Sequence, residues 1–131
     1  MNVVFLDRDG VINEDYGYVH CKKKFIFKDG IFETLLHLRS LNFNLIIITN
    51  QSGIGRNYYK ESDFLKLNQW MLNELKAKNI DILDTFYCPH SPDQNCKCRK
   101  PKPYLFQLAI QKYNIDIEKS WMIGDKSSDI E

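Results

Sequence analysis

Val3-Val4-Phe5-Leu6-Asp7-Arg8-Asp9-Gly10 is the segment that decides the fold, four apolar residues followed by two carboxylates two positions apart. The apolar run predicts a buried β-strand. Side chains at positions i and i+2 of an extended chain project from the same face, so Asp7 and Asp9 are expected to share a pocket. A divalent cation or a raised pKa is the usual answer to their mutual repulsion. The alternative is a strand followed by an ordinary polar turn, because Asp and Gly are common turn residues.

Further apolar runs predict three more strands, at residues 45–48, 85–87 and 121–123. Segments with helical periodicity lie between them: residues 31–41, a stretch that Ser62 can cap, and a stretch with Pro103 in its first turn. Alternation of strands and helices predicts the α/β class with a Rossmann-like, doubly wound parallel sheet. A length of 131 residues predicts a single domain, residues 1–131.

In such a sheet, ligands bind beyond the carboxyl ends of the strands. The residues expected there come from separate strand ends and from the connection after the third strand: Asp7, Asp9, Thr49, Asn50, Arg99, Lys100, Asp125 and Lys126. Any one of them is compatible with an ordinary loop. Together they place carboxylates, a hydroxyl group and cations at one edge of the sheet, which predicts a phosphate-handling active site.

The chemistry of a phosphate ester suggests a role for each group, because an anionic substrate needs charge neutralisation and alignment. Asp7 is the predicted nucleophile and Asp9 the predicted proton carrier. Thr49 and Lys100 would stabilise the oxygens of the transferred group, and Arg99 would recognise a phosphate or sugar oxygen. Mg²⁺ would be held by Asp7 and Asp125, with the backbone carbonyl of Asp9 as a further ligand.

A second group of candidate residues is Cys88, His90, Cys96 and Cys98. Three thiolates and one imidazole suit a tetrahedral Zn²⁺ site that is structural, because its ligands fill the coordination shell. The alternatives are disulfides involving Cys21, or unpaired thiols. Zinc would fold the loop 88–98 and so position Arg99 and Lys100. A small zinc module that binds nucleic acid is a non-enzymatic alternative, which a net charge of +1 does not favour.

Asp7-Arg8-Asp9-Gly10, Thr49-Asn50, Lys100 and Gly124-Asp125 resemble the four motif regions of the haloacid dehalogenase superfamily of phosphatases. The resemblance implies that the fold has no large cap domain, that Asp7 is the nucleophile and Asp9 the general acid/base. It also implies that Asp7, Asp9 and Asp125 hold Mg²⁺ and that Cys88, His90, Cys96 and Cys98 hold Zn²⁺. The substrate contacts that it implies are Asp15, Tyr16, Gly17, Tyr18, Asn50, Gln51, Ser52, Arg99 and Lys126.

The zinc pattern and Cys98-Arg99-Lys100-Pro101 resemble the branch of that superfamily that acts on heptose bisphosphates and on histidinol phosphate. Residues 15–20 and 49–56 look like the heptose enzymes, whereas the five-residue gap between His90 and Cys96 looks equally like the histidinol-phosphate enzymes. We favour removal of the C7 phosphate of D-glycero-D-manno-heptose 1,7-bisphosphate, on the route to ADP-heptose and lipopolysaccharide. The alternative is histidinol-phosphate hydrolysis in histidine biosynthesis.

The remaining expectations concern location and partners. We expect a cytoplasmic monomer that binds a small phosphorylated sugar and neither nucleic acid nor a membrane. The resemblance implies a further helix and strand after Asp125, so we interpret the 131-residue chain as truncated at its C-terminus. A sheet edge left open in this way would favour non-native association.

Overall fold

The computed structural model of this chain describes residues 1–124. Its centre is a sheet of four parallel strands in the order β3-β2-β1-β4. The strands are β1 (Val3–Leu6), β2 (Asn44–Asn50), β3 (Asp84–Cys88) and β4 (Trp121–Ile123). The predicted α/β class and parallel sheet are confirmed.

Within residues 1–124, four helices lie between the strands: α1 (Ile31–Ser40), α2 (Ser52–Gly55), α3 (Glu61–Ala77) and α4 (Tyr104–Lys112). Short 3-10 turns occur at Lys22–Lys24, Pro92–Gln94 and Ile117–Lys119. Two predicted helix starts were wrong. Lys60, not Ser62, is the N-cap of α3, and its N–H donates to the Asp63 carboxylate at 2.8 Å, so the helix begins before Ser62. Pro103 is the N-cap of α4 and not part of its first turn.

Apolar residues cover both faces of the sheet, because successive side chains of a strand point in opposite directions. Val4 and Leu6 belong to a buried cluster with residues of α1 and α3, among them Leu35 and Met71. Val3 and Phe5 belong to a second cluster, which includes Leu105, Phe106 and Ala109 of α4. Helices thus cover the sheet on both sides, and the polar groups collect where the strands end.

The order of the strands reverses beside β1. The chain proceeds from β1 through β2 to β3 on one side and returns to place β4 on the other side of β1. The pairing of β1 with β4 extends past Leu6, because the N–H of Asp7 donates to the carbonyl of Ile123 at 3.1 Å. Asp7 therefore lies at the topological switch point, where open α/β sheets bind their ligands. Among residues 1–124, no helix combines the length and the apolar character needed to cross a bilayer.

Candidate active site

Asp7 and Lys100 form a buried pair at the end of β1. Asp7 is 6% exposed and Lys100 is 2% exposed. The lysine Nζ lies 3.4 Å from Oδ1 of Asp7 and donates to the carbonyl of Ile48 at 3.0 Å. Oδ1 of Asp7 also accepts the N–H of Arg8 at 2.8 Å. The cation offsets the cost of holding a carboxylate away from water.

Asp9 is held by donors on both of its carboxylate oxygens. Its Oδ1 accepts hydrogen bonds from Nε and Nη2 of Arg8, at 3.1 and 2.9 Å, and from Nδ2 of Asn13 at 3.0 Å. Its Oδ2 accepts a hydrogen bond from Nε2 of Gln51 at 3.2 Å. The contacts come from three separate positions in the chain, so they fix the orientation of the carboxylate as well as its place.

Arg8 supplies the strongest of these contacts and is itself 1% exposed. Its guanidinium carbon lies 5.8 Å from the ring centroids of both Phe25 and Phe64, and its Nη2 donates to the carbonyl of Val19 at 2.6 Å. Aromatic faces attract such a cation, which compensates for part of its lost hydration. The sequence analysis assigned no role to Arg8 or Asn13. The position of Arg8 between two carboxylates, directly after a buried strand, is the sequence feature that could have indicated its role.

Gln51 joins Asp9 to two further side chains. Its Nε2 also donates to Oγ1 of Thr49 at 3.0 Å, and its Oε1 accepts the hydroxyl of Tyr59 at 2.6 Å. Gln51 is 2% exposed and Thr49 is 1% exposed. Burial raises the pKa of Tyr59 to about 12, with opposing contributions from the nearby charges of Arg8, which lowers it, and Asp9, which raises it. The phenol therefore remains a hydrogen-bond donor throughout the neutral range. Nothing in the sequence pattern indicated Tyr59.

A polar cavity of about 330 Å³ opens beside Asp9. Its lining residues are Asp9, Asp15, Gly17, Tyr18, Asn50, Gln51, Ser52, Arg56, Tyr59 and Arg99. Most of the residues expected to contact a substrate are thus brought together. Tyr16 does not line this cavity, and its side chain is 66% exposed. Asp125 and Lys126 lie outside the described residues.

Two cationic residues, Arg56 and Arg99, line this cavity together with two carboxylates, Asp9 and Asp15. Nη1 of Arg99 is buried and has no hydrogen-bond partner within the described part of the chain. A buried donor without a partner is costly, and Arg99 lines both this cavity and a second one beside Pro101. The sequence analysis quoted Arg56 only within a similar run and gave it no role.

Asn50 connects β2 to the loop that carries Lys100. Its Oδ1 accepts the backbone N–H of Lys100 at 3.0 Å, and its Nδ2 lies 3.4 Å from the carbonyl oxygen of the same residue. This two-point contact fixes the backbone from which Lys100 reaches Asp7. Asn50 also lines the cavity, so its predicted contact with a substrate and this structural contact are compatible.

The side chains of Cys88, His90, Cys96 and Cys98 converge between β3 and α4. One potential ligand atom from each lies within 4.8 Å of the others. Sγ of Cys88 is 3.4 Å from Sγ of Cys96 and 2.7 Å from Sγ of Cys98, and Nδ1 of His90 is 3.1 Å from Sγ of Cys98. The ligand types and the single point of convergence fit a tetrahedral zinc site. All four cysteines of the chain, including Cys21, are free thiols in this structure.

Local hydrogen bonds favour the thiolate form at one of these positions. Burial alone would raise the pKa of Cys96, but hydrogen bonds from Cys88 and from the backbone of Cys98 and Arg99 lower it to about 6. Metal ligation requires a thiolate. Cys88 and Cys98 belong to the buried cluster beneath α4, so the cluster of ligands is anchored to the core.

The oxygen groups at the end of β1 fit a hard divalent cation. Mg²⁺ takes oxygen ligands, commonly one or two carboxylates with substrate phosphate and water. Asp7 offers such a carboxylate at the switch point of the sheet. Both carboxylate oxygens of Asp9 already accept N–H donors, so its backbone carbonyl is the better candidate ligand.

Comparison with known families gives a match over almost the whole chain. A sequence model of haloacid dehalogenase-like hydrolases matches residues 2–131. The D-glycero-alpha-D-manno-heptose-1,7-bisphosphate 7-phosphatase of Photorhabdus laumondii is 46% identical, with 99% of this chain and 75% of that protein covered. The D-glycero-beta-D-manno-heptose-1,7-bisphosphate 7-phosphatase of Helicobacter pylori is 49% identical, with 97% of this chain and 74% of that protein covered.

Solved structures agree with the sequence comparison. The crystal structure of the D,D-heptose 1,7-bisphosphate phosphatase of B. bronchiseptica, complexed with magnesium and phosphate, superposes with a TM-score of 0.91. It is 29% identical, and the match covers 98% of this chain and 73% of that one. The sheet described above therefore occurs in a protein that was crystallised with both ions.

Proposed function

Since this chain belongs to the haloacid dehalogenase-like hydrolases, we propose that it removes the C7 phosphate of D-glycero-D-manno-heptose 1,7-bisphosphate. The observation that carries this proposal is the buried Asp7–Lys100 pair at the switch point, beside a polar cavity that Asp9 and two guanidinium groups line. Relatives that are 46% and 49% identical carry the heptose name, which favours this substrate over histidinol phosphate. A nucleic-acid-binding zinc module does not account for a family match over residues 2–131.

We propose that Asp7 attacks the phosphorus atom and becomes an aspartyl-phosphate, while the bond from phosphorus to the C7 oxygen breaks. Lys100, 3.4 Å from this carboxylate, offsets charge on the phosphoryl oxygens. The Thr49 hydroxyl is a further donor to those oxygens. Such donors accelerate phosphoryl transfer because they are already in place when the charge shifts.

Asp9 is the proposed proton carrier for both half-reactions. In the first, it gives a proton to the departing C7 oxygen and becomes a carboxylate. In the second, it takes a proton from the water that attacks the phosphorus atom of the aspartyl-phosphate, which releases phosphate and restores Asp7. Its place on the cavity wall puts it within reach of a leaving group there.

Magnesium is the proposed cofactor, with the Asp7 carboxylate, the Asp9 backbone carbonyl and Asp125 as its ligands. When bound, the ion neutralises phosphoryl charge and reduces the repulsion between the substrate and the carboxylates. These assignments are supported by the oxygen chemistry of the residues at the end of β1 and by the magnesium-containing relative.

The phosphate at C1 distinguishes a bisphosphate from a simple sugar phosphate. We propose that Arg56 and Arg99 bind this second phosphate, because they are the guanidinium groups in the wall of the cavity. Guanidinium forks match phosphate oxygens, and Arg99 has a buried nitrogen without a partner among residues 1–124.

Zinc has a structural part in this proposal. Cys88, His90, Cys96 and Cys98 would fill its coordination shell, so the ion supplies rigidity to the loop and takes no part in the reaction. Arg99 and Lys100 follow the last ligand directly, so the folded loop sets the positions of both cations. Cytoplasmic location and action as a monomer stay predictions from the sequence.

The test is phosphate release in the presence of Mg²⁺ from two substrates in parallel, D-glycero-D-manno-heptose 1,7-bisphosphate and histidinol phosphate. We expect a clear preference for the heptose, and loss of turnover in Asp7→Asn, whose circular dichroism spectrum should match that of the wild type. A preference for histidinol phosphate would overturn the substrate assignment. Normal turnover by Asp7→Asn would overturn the assignment of the nucleophile.

A further inference from the structure

We propose that Gln51 is a positioning residue that aims the proton-carrying oxygen of Asp9, and that Tyr59 sets the orientation of the Gln51 amide. This inference rests on the proposed function, and it departs from the expectation that Gln51 contacts the substrate. It begins with the unequal surroundings of the two carboxylate oxygens of Asp9.

Oδ1 of Asp9 accepts three N–H donors, two from Arg8 and one from Asn13. An oxygen surrounded in this way has no room for a proton of its own. Oδ2 accepts one donor, Nε2 of Gln51 at 3.2 Å. The proton that Asp9 transfers is therefore carried on Oδ2, and the lone pair left on that oxygen accepts the Gln51 N–H.

The polar atoms of Gln51 are already engaged within the protein. Nε2 donates to Asp9 and, at 3.0 Å, to Thr49, while Oε1 accepts the hydroxyl of Tyr59. At 2% exposure, little of the side chain faces the cavity. A substrate contact would have to displace one of these bonds, whereas a positioning role uses all of them.

Tyr59 determines which end of the amide faces Asp9. The two ends of a glutamine amide have nearly the same shape, and only the hydrogen bonds distinguish them. The Tyr59 hydroxyl donates to the amide oxygen, and Asp9 and Thr49 offer acceptors at the other end, so the NH₂ group faces them. Thr49 then accepts from Gln51, and its own hydroxyl donates to the carbonyl of Asn50 over a long 3.4 Å contact, which an oxygen of the phosphoryl group can replace.

The consequence is measurable through the leaving group. A sugar alkoxide is a poor leaving group that needs the proton of Asp9, whereas 4-nitrophenolate departs without one. For an enzyme with an aspartyl-phosphate intermediate, kcat/KM reports the steps up to departure of the leaving group. A wrongly oriented Asp9 carboxylate should therefore lower kcat/KM for the heptose bisphosphate and leave kcat/KM for 4-nitrophenyl phosphate nearly unchanged.

The experiment measures both values for the wild type, Gln51→Met, Tyr59→Phe and Tyr113→Phe. We expect Gln51→Met to lose at least about tenfold with the heptose and less than about threefold with the aryl ester, because general acid catalysis is worth about 10²–10⁴-fold and Met keeps the bulk of Gln. Tyr59→Phe should show a smaller loss with the same asymmetry. Tyr113 is the matched control, since its hydroxyl donates to Asp84 at 2.8 Å away from the cavity, and its variant should retain both values.

The outcomes separate this inference from the proposed function. Equal losses with the two substrates in Gln51→Met, or no loss with either, would overturn the positioning role while the phosphatase assignment stands. A wild-type protein that releases phosphate from neither substrate would overturn the proposed function, and the positioning role with it. Rescue of the heptose reaction in Gln51→Asn would also contradict the inference, because the shorter amide cannot reach both Asp9 and Tyr59.

Discussion

Gly53→Ala tests the packing that places Tyr59 against α2. A Cβ atom added at Gly53 would lie 2.1 Å from Cε1 of Tyr59 and 2.8 Å from Cζ, whereas ordinary contacts begin at 3.4 Å. Tyr59 is 7% exposed and its ring stacks on His20 with centroids 4.9 Å apart, so the ring has little free space. To accept the methyl group it must shift by more than about 1 Å, which breaks the 2.6 Å bond to Gln51.

The expected loss of stability follows from those two effects. Overpacking of a buried site costs about 1–3 kcal/mol, and a lost hydrogen bond adds about 1 kcal/mol. We therefore expect Gly53→Ala to lower the free energy of unfolding by about 2–4 kcal/mol, measured by urea denaturation with circular dichroism. Heptose bisphosphate turnover should fall in the same variant because Gln51 loses its orienting partner.

A double-mutant cycle decides whether Tyr59 is the cause. Tyr59→Val removes the ring atoms that the new methyl group would meet, so in that background Gly53→Ala should cost less than about 1 kcal/mol, since Ala is the better helix former. Gly30→Ala is the matched control: its Cβ meets nothing within 4 Å, but its φ of +79° makes any side chain strained. It should lose about 1–2 kcal/mol equally in both backgrounds and keep its turnover. The same cost for Gly53→Ala with and without the Tyr59 ring would refute the argument.

Three further predictions concern charge, metal and pH. Arg56→Met should lower kcat/KM for the heptose bisphosphate by about 10–100-fold and for a heptose 7-monophosphate far less, because a charge-assisted bond to the C1 phosphate is worth about 1.5–3 kcal/mol; parallel assays of the two substrates check this, and equal losses would contradict it. Cys96→Ser should reduce the zinc content measured by mass spectrometry and lower both stability and turnover, while the distant Cys21→Ser retains zinc. The raised pKa of Tyr59, about 12 against an unfolded value near 10, means that the unfolded state loses its proton first, so stability is intact below pH 10 and falls as pH rises towards 12. Urea midpoints between pH 9 and 12 should show a shallower decline in Tyr59→Phe, and identical slopes would contradict the assignment.

Short local sequence patterns were sufficient to predict the strands of this fold. Apolar runs of three or four residues followed by polar groups predicted the strands, and the signal is clearest in β1 and β2, whose apolar residues are buried on both faces of the sheet. The four strands, their parallel arrangement and the family follow from such runs and from short motifs such as Asp7-Arg8-Asp9-Gly10. The first residues of the helices were harder to predict from the sequence. Lys60 and Pro103 are N-caps because of the backbone conformation with which the chain enters each helix, whereas residue type alone favoured Ser62 as the cap of α3.

Residue type and chain position alone indicated which atoms could do chemistry here: carboxylates at a strand end, a lysine after a cysteine–histidine loop, and four candidate ligands for zinc. Only the tertiary structure decided how those atoms are held, since hydrogen bonds between distant segments leave no periodic trace in a sequence. Arg8 between Phe25 and Phe64, the separate partners of the two Asp9 oxygens, and the bond from Tyr59 to Gln51 are of this kind. The reason is physical: burial and directional hydrogen bonding are properties of a packed environment, and residues far apart in the chain create that environment together.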